Sequence, residues 1–515
     1  MSFEEFTMSV DTAARPSVGP PSPSDQGVRY RAVWRWHFYA GLVVAPVLLV
    51  LAITGSVYLF KSPYEEWRYR DLMAVRPAGT AQPLAAQIRA ATATHPDRPM
   101  VSVIPATKPD RSTKVTLAGK ESGPFAPGLS VYVNPYTGKV LGEVDESATL
   151  MRKVRTIHGE LMAGKVGDRI VEASACWALI LVCSGLYLWR RGPARNKLRN
   201  RKGNGPGTGA DAATGADGAT RTGGGTRNGR NGRPLLRRVH ALTGASAGIV
   251  IVFLILSGLP WSGVWGEGLS NLSARLGSTA PDGEKYARES TPLAGDLTQD
   301  PATKVPWAGE KQPVPSSTPG GGHAGHGGHT GGAVGAIPVE TALAAARAQA
   351  THCPPPECDF IVLLPKGPRG VYTVNVDSRR DPGRQRTLHV DQYSGKVLGS
   401  YGWSEYGVLA KGVEQGISLH EGRRYGLPNL LVMLGACLAL ITLTVTGAWM
   451  WWKRRPEGKL GAPARPADKR TSFGLIAIMV VLGVLFPLAG ITMIAALLFD
   501  TLVLRRIPAL NRRFG

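Results

Sequence analysis

The sequence predicts a membrane-embedded all-α bundle: four core transmembrane helices plus a C-terminal helical hairpin or kinked helix. Two small α+β domains are expected outside the membrane. Three observations lead to this class. The hydrophobic residues, 43% of 515, are clustered rather than spread. Lys and Arg concentrate beside the apolar segments, and a unit of span, domain and span occurs twice.

Five segments are apolar enough and long enough to cross a bilayer, which takes about 20 residues. They are Phe38–Phe60, Ala173–Trp189, Ala241–Val264, Leu427–Trp452 and Phe473–Leu504. The last segment is too long for one untilted crossing and contains Pro487. It therefore predicts two short helices turning near Pro487, with one kinked span as the alternative.

The basic residues set the expected orientation. The formal net charge is +23, and pairs such as Arg190 and Arg191 lie directly beside spans, as the positive-inside rule requires. The N-terminus is therefore expected in the cytoplasm of a multi-pass protein. Because no nucleic-acid-binding motif accompanies the charge, nucleic acid is excluded as a partner.

An internal repeat is legible in the sequence. TIHGELMAGKVGDRIVEASACWALILVCSGLYLWRR (156–191) parallels SLHEGRRYGLPNLLVMLGACLALITLTVTGAWMWWKR (418–454). His158 precedes Gly185 by 27 residues, as His420 precedes Gly447, and His37 precedes Gly55 by 18 residues, as His240 precedes Gly258. Both copies begin inside, which implies an axis along the membrane normal.

Each copy carries an extracytoplasmic α+β unit. Helical segments are expected at Pro83–Thr94 and Ile337–Ala350, each followed by alternating strands. VNPYTGKVLGEV (133–144) and VDQYSGKVLGSY (390–401) read as strand pairs joined by tight turns. Each unit is predicted to be one helix on its own antiparallel sheet.

Four of the ten histidines stand at the ends of repeated spans: His37 and His240 at the inner face, His158 and His420 at the outer face. Interfacial anchoring is the alternative reading, but duplicated spacing favours metal ligation. Two histidines per face predict two bis-histidine haems stacked across the bilayer, suited to electron transfer because no iron position stays open.

Further residues near these ends enter the predicted haem sites. A glycine four residues after a histidine shares its helix face and leaves room for a flat macrocycle; these are Gly41 and Gly244. Arginines that could pair with haem propionates are Arg31, Arg35, Arg155 and Arg424. Ordinary positive-inside or interfacial placement explains these arginines equally well.

WRWHFYAGL, RRVHALTG, SLHEG with TGAWMWWKRRP, and FPLAGITMIAALLFDTLVLRRIP resemble the PepSY-associated transmembrane family, which includes bacterial inner-membrane ferric-siderophore reductases. The TGKVLG and SGKVLG turns resemble PepSY domains. The resemblance covers residues 28–192 and 234–512. It implies a cytoplasmic-membrane protein with two haems b, bound at His37, His158, His240 and His420, that reduces extracytoplasmic ferric chelates for iron uptake. The implied electron donor is a quinol or a separate reductase.

The predicted organisation follows the repeat. The first copy comprises a disordered cytoplasmic tail (1–27), span 1 (28–61), PepSY-like domain 1 (62–155), and an outer helix with span 2 (156–191). A flexible basic cytoplasmic linker (192–234) leads to the second copy, which comprises span 3 (235–265), an extracytoplasmic linker with a His-rich insert (266–336), PepSY-like domain 2 (337–417), and an outer segment with span 4 (418–454), before the C-terminal hairpin or fifth span (471–506).

The insert carries His323, His326 and His329 among glycines. Such tracts can capture Cu, Zn, Ni or Fe ions, and a linker with incidental histidines is the alternative. Cys353 and Cys358 lie outside, where a disulfide is permitted. Three cysteines within spans are expected as small core residues: Cys176, Cys183 and Cys437. Three other histidines are expected in surface loops or strands: His95, His352 and His389.

The predicted function is a haem-dependent membrane oxidoreductase acting on a ferric siderophore or other ferric chelate. The chain contains no Walker A motif, no dinucleotide-binding glycine motif in context, and no Ser-His-Asp or HExxH arrangement. No side chain is therefore assigned a catalytic role. Two alternatives stay open: a PepSY-domain binding or regulatory membrane protein, and an extracytoplasmic copper-handling protein.

Overall fold

The computed structural model describes residues 25–119, 127–191, 232–278, 305–318, 335–378, 380–456, 460, 473–504 and 506–507. Most of the predicted N-terminal tail and basic linker, and the whole His-rich insert with His323, His326 and His329, lie outside the described residues.

Among the described residues, four helices are long and apolar enough to cross a membrane, which confirms a multi-pass membrane protein. They are α1 (Asp25–Tyr58), α6 (Gly164–Arg191), α7 (Gly232–Gly258) and α11 (Leu427–Arg454). Their buried seam joins Val44 and Leu48 of α1 to Leu179 of α6 and Ile251 of α7. Apolar side chains elsewhere on these helices face outward, as lipid contact requires.

The other helices are α2 (Lys61–Arg68), α3 (Arg70–Met73), α4 (Leu84–Thr92), α5 (Leu150–Glu160), α8 (Val264–Arg275), α9 (Val339–Gln349), α10 (Val408–His420), α12 (Phe473–Leu485) and α13 (Pro487–Phe499).

The C-terminal apolar stretch forms two short helices, α12 and α13. A Cβ placed on Gly483 would lie 3.2 Å from the Cα of Gly490. Residues seven apart in a continuous helix are separated by about 10 Å, so the chain folds back sharply here. Pro487 begins α13, where its missing N–H costs nothing. Trp177 ties this segment to the bundle, because its indole N–H donates to Thr492 Oγ1 at 2.9 Å.

The strands are β1 (Met100–Ile104), β2 (Thr113–Leu117), β3 (Leu129–Val133), β4 (Val140–Asp145), β5 (Asp359–Leu363), β6 (Val371–Asp377), β7 (Arg386–Asp391) and β8 (Val397–Gly402). They form one antiparallel eight-stranded sheet in the order β4-β3-β2-β1-β5-β6-β7-β8.

This single sheet differs from the two separate units expected from the sequence. β1 pairs with β5 antiparallel, with Ser102 opposite Leu363 and Val103 opposite Val362. Without this pairing, β1 and β5 would each be an unpaired edge strand. Joining these equivalent strands covers both edges at once. Antiparallel pairing of equivalent strands is also what a two-fold axis between the repeats produces.

One face of the sheet is covered by α4 and α9. Ile88 of α4 and Ala346 of α9 pack with strand residues such as Val115 and Val374 in one core shared by both halves. A disulfide joins Cys353 to Cys358 beside this core.

The opposite face carries buried polar groups. His389 is 1% exposed, with Nδ1 2.9 Å from Thr373 Oγ1 and Nε2 3.3 Å from the Tyr401 hydroxyl. The expectation of a surface residue is therefore wrong for His389, because the bundle side of this sheet is covered. Burial lowers the pKa of His389 to about 3.

Part of the predicted 266–336 linker is structured. Residues 264–275 form α8, and residues 305–318 pack on the second half of the sheet. Trp307 is buried with Tyr401 and Tyr406, and the Ala308 N–H donates to Glu414 Oε1 at 3.0 Å. This segment therefore belongs to the folded body.

Candidate histidine sites in the bundle

All four predicted histidines are partly buried against a hydroxyl side chain of a neighbouring span. The contacts run from His37 Nδ1 to Ser184 Oγ (2.8 Å), from His158 Nδ1 to Thr54 Oγ1 (3.0 Å), from His240 Nδ1 to Thr446 Oγ1 (3.0 Å), and from His420 Nδ1 to Ser257 Oγ (3.0 Å). The same atom of each ring is used, so one local geometry occurs four times.

A glycine follows each hydroxyl residue and lies under the imidazole. A Cβ on Gly185 would come within 3.2 Å of His37 Cε1, and one on Gly258 within 3.1 Å of His420 Cε1. Gly55 and Gly447 stand likewise against His158 and His240, at 3.2 and 3.6 Å. A Cβ at Gly55, Gly185 or Gly258 would crowd the ring by a few tenths of an ångström, whereas one at Gly447 would make ordinary van der Waals contact.

The hydroxyls fix which nitrogen of the ring carries the proton. Thr54 Oγ1 donates to the Val50 carbonyl at 2.7 Å, and Ser257 Oγ donates to the Phe253 carbonyl at 2.7 Å. A hydroxyl has one proton, so toward the ring it can only accept. Thr446 Oγ1 likewise donates to the Thr442 carbonyl at 2.6 Å, whereas Ser184 Oγ lies 2.8 Å from His37 Nδ1 and 3.2 Å from the Leu181 carbonyl.

Where the hydroxyl donates to its own helix and accepts from the ring, a neutral imidazole carries its proton on Nδ1 and keeps the lone pair of Nε2. Metal-bound histidines commonly use this arrangement, in which an outer hydrogen bond to one nitrogen orients the other for ligation. The donor set thus fits a group that takes neutral imidazole nitrogen ligands.

The histidines lie in two neighbourhoods. His37 lies near His240, and His158 lies near His420. We call the second the sheet-proximal pair, because α5 and α10 carry it directly after the strands, and the first the sheet-distal pair. His37 and Thr54 mark the two levels on α1 and lie about 25 Å apart along the helix.

The repeat organises the two sites in a specific way. Every histidine–hydroxyl contact lies within one copy: His37 and His158 bond to spans α6 and α1 of the first copy, and His240 and His420 to spans α11 and α7 of the second. Each histidine pair, in contrast, takes one member from each copy. Both sites therefore need both repeats.

The remaining predicted site residues lie elsewhere. A Cβ placed on Gly41 would face Leu181, and one placed on Gly244 would face Leu443. Neither would face a histidine. Arg35 lies over the Tyr39 ring, at 5.1 Å from its centroid.

The predicted arginines differ in how they are engaged. Arg424 pairs with Asp381 at 3.2 Å and donates to Gln415 at 2.9 Å. Arg155 is an exposed residue of α5. The Nε of Arg31 is buried and has no hydrogen-bond partner among the described residues.

Sequence reasoning missed the four hydroxyl residues. A signal was present: each span carries a Ser-Gly or Thr-Gly pair, at Thr54, Ser184, Ser257 and Thr446. Within the described part of the chain, no group of three or more His, Cys, Asp or Glu side chains could hold a metal ion.

These features define a polytopic membrane protein with two levels of paired histidines and a sheet beyond one end of the bundle. The sequence model of the PepSY-associated TM region matches residues 34–454, and the chain belongs to this family. A comparison with curated proteins finds no match.

Proposed function

We propose that the chain is a transmembrane electron carrier that holds two bis-histidine haems b and reduces extracytoplasmic ferric chelates for iron uptake. The observation that carries this proposal is the fourfold histidine–hydroxyl–glycine geometry. This geometry leaves the Nε2 lone pair of each of the four histidines for ligation. The two histidine pairs lie about 25 Å apart along α1.

The two pairs would hold one haem each, at His37 with His240 and at His158 with His420. Haem held by two imidazoles supplies one-electron oxidation and reduction, with no free position for oxygen. The chain's own residues orient the rings through Nδ1, and the glycines keep space beside them. Apolar spans exclude water from this path.

In this proposal the N-terminus is cytoplasmic, and a quinol or separate reductase delivers electrons near the sheet-distal pair. The ferric chelate is reduced on the sheet side. Each Fe(III) gains one electron and becomes Fe(II), and a chelator that prefers Fe(III) then releases it.

The visible spectrum of purified protein from haem-replete cells tests the ligand assignment. Low-spin b-type bands with about two haems per chain are expected from two bis-histidine sites. His37→Ala and His420→Ala should each remove one haem, whereas His352→Ala, an exposed histidine of the sheet unit, should remove none. A colourless, folded preparation would overturn the proposal.

The substrate assignment needs its own experiment. Reduced protein in anaerobic buffer is mixed with a ferric hydroxamate or ferric citrate, and reoxidation of the haem bands is followed. Reoxidation in step with Fe(II) formation supports reduction of ferric chelates. Coloured protein that no ferric chelate reoxidises would keep the haem sites and reject this substrate.

A further inference from the structure

Trp261 lies against the imidazole of His420. The two rings meet at 89°, and their centroids are 6.0 Å apart, which is the edge-to-face arrangement that aromatic rings favour. The Trp261 side chain is nevertheless 42% exposed. One side of His420 is therefore covered by a ring that itself reaches the surface of the bundle.

The repeat places an aromatic residue at this position in both copies. Trp261 follows the hydroxyl residue Ser257 by four residues, as Tyr58 follows Thr54. Residues four apart lie on the same helix face, so each aromatic ring is one turn closer to the sheet than the hydroxyl. At the sheet-distal level the equivalent positions are not aromatic; they are Leu188 and Met450. The aromatic position thus belongs to the sheet-proximal level.

The two aromatic residues have different neighbours. Tyr58 is half-buried and lies near Glu421, so it meets the other copy of the repeat. Trp261 contacts the histidine of its own copy and stays exposed. The surroundings of His158 and His420 therefore differ, although their hydroxyl and glycine contacts are alike.

The turn that carries Trp261 is held from two sides. It is a single 3₁₀ turn, Leu259–Trp261, which directly follows α7 and whose first two residues are buried. The next helix, α8, is capped by the fully buried Glu172 of α6. The two carboxylate oxygens of Glu172 accept the Val264 N–H at 2.8 Å and the Trp265 N–H at 3.0 Å. The first copy thus helps to fix the turn that covers a histidine of the second.

We propose that Trp261 is a positioning residue of the sheet-proximal site, which fixes the tilt of the His420 imidazole and shields it from water. The Ser257 hydroxyl holds only Nδ1, about which the ring can still tilt, and Trp261 supplies a contact on the ring itself. This inference rests on the haem ligation proposed above. Because the surroundings of an axial ligand and their access to water tune the iron, Trp261 acts on one haem and not on the other.

The test compares the unmodified full chain with Trp261→Ala and Trp261→Phe. Trp67→Ala is the matched control, because Trp67 is another exposed indole, lies on α2 at the same end of the bundle, and has its ring contact with Tyr64. Two measurements use the haem-loaded protein: the low-spin electron paramagnetic resonance signal of each haem and the reduction potential of each haem. A third uses the haem-free chain, in which the carbethoxylation rate of His420 by diethyl pyrocarbonate is followed by mass spectrometry.

Trp261→Ala should change the resonance signal of one haem and lower one of the two potentials, because water stabilises the more highly charged ferric form. Haem affinity at that site should fall about 2–10-fold, which is the effect of one aromatic contact. Carbethoxylation of His420 should become faster by about the same factor. Trp261→Phe should restore the unmodified values, and Trp67→Ala should change none of them.

Unchanged signals and potentials in Trp261→Ala, or equal changes in Trp67→Ala, would refute the positioning role and leave Trp261 as an interfacial anchor only. If the unmodified chain binds no haem, the proposed function fails, and the carbethoxylation rates alone decide whether Trp261 covers His420. If Trp261→Ala does not fold, Trp261→Leu, which keeps an apolar side chain without an aromatic ring, takes its place.

Discussion

Valine at position 54 would remove one hydroxyl while keeping the size and branching of the threonine side chain. Thr54 Oγ1 accepts the Nδ1–H of His158 at 3.0 Å and donates to Val50 O at 2.7 Å. The valine variant removes the hydroxyl acceptor of the Nδ1–H and leaves the Leu51 carbonyl as the backbone partner of the ring. The helix itself tolerates the change, because valine and threonine have similar helix propensities.

The magnitude follows from that single bond. Loss of an outer partner of a metal-bound histidine typically lowers metal affinity about 10–100-fold. We therefore expect Thr54→Val to weaken haem binding at the sheet-proximal pair about 10–100-fold. The reduction potential of that site should rise, because the imidazole becomes a weaker donor to iron.

Haem titration of the apoprotein and a redox titration monitored by absorbance measure both effects. The sheet-distal site is an internal control, since its hydroxyls are those of Ser184 and Thr446. Thr54→Ser should restore affinity. Thr444→Val is the matched membrane control, because Thr444 Oγ1 bonds only to Leu440 O and Ile441 O of its own helix.

Two results separate the hypotheses. If both haems bind but Thr54→Val and Thr444→Val have the same haem affinity and reduction potential, the hydroxyls do not orient the histidine ligands. The haem proposal itself would then still stand. If no haem binds to the unmodified chain, the haem proposal itself fails.

Two further predictions concern the site and the sheet. Gly258→Ala should lower haem occupancy of the sheet-proximal pair, since its Cβ would lie 3.1 Å from His420 Cε1. Gly41→Ala is the control and should leave the spectrum unchanged, because the atom nearest to its Cβ lies 3.8 Å away. Equal effects of the two variants would contradict a role of Gly258 in positioning the His420 ring. Acidification should destabilise the sheet. Below pH 6.5, about the pKa of histidine in an unfolded chain, the unfolded protein binds a proton at His389, whereas in the folded protein His389, with a pKa of about 3, stays neutral. This difference lowers the free energy of unfolding by about 2 kcal/mol at pH 5. Thermal unfolding at pH 7 and pH 5 should show that loss and show it reduced in His389→Gln; identical losses in both proteins would remove His389 as the cause.

The sequence predicted the spans and the repeat because hydropathy and identical spacing are local properties of the chain. The single sheet was not predictable in the same way. β1 and β5 have no sequence signal for each other, and their pairing depends on how two copies dock. Likewise, Gly41 follows His37 by one turn, yet His37 lies against Gly185 of another helix. A helical-wheel argument describes one helix, whereas this contact depends on the packing of two.

The duplicated spacings acquire a physical meaning from these contacts. Within a copy the two spans run antiparallel, and His158 lies on α5, which directly precedes α6. His37 therefore meets Ser184 near the end of α6, and His158 meets Thr54 near the end of α1. A shift of α1 along its axis would break both contacts, because His37 and Thr54 both lie on α1. The second copy keeps the same two spacings for the same reason.

One copy alone can orient its two histidines but supplies only one to each level. Two imidazoles come together at each level when α1 and α5 of the first copy meet α7 and α10 of the second across the repeat axis. The β1–β5 pairing joins the same two copies beyond the bundle. Sheet and bundle thus share one interface, and a change that separates β1 from β5 acts on the same boundary that brings His158 to His420.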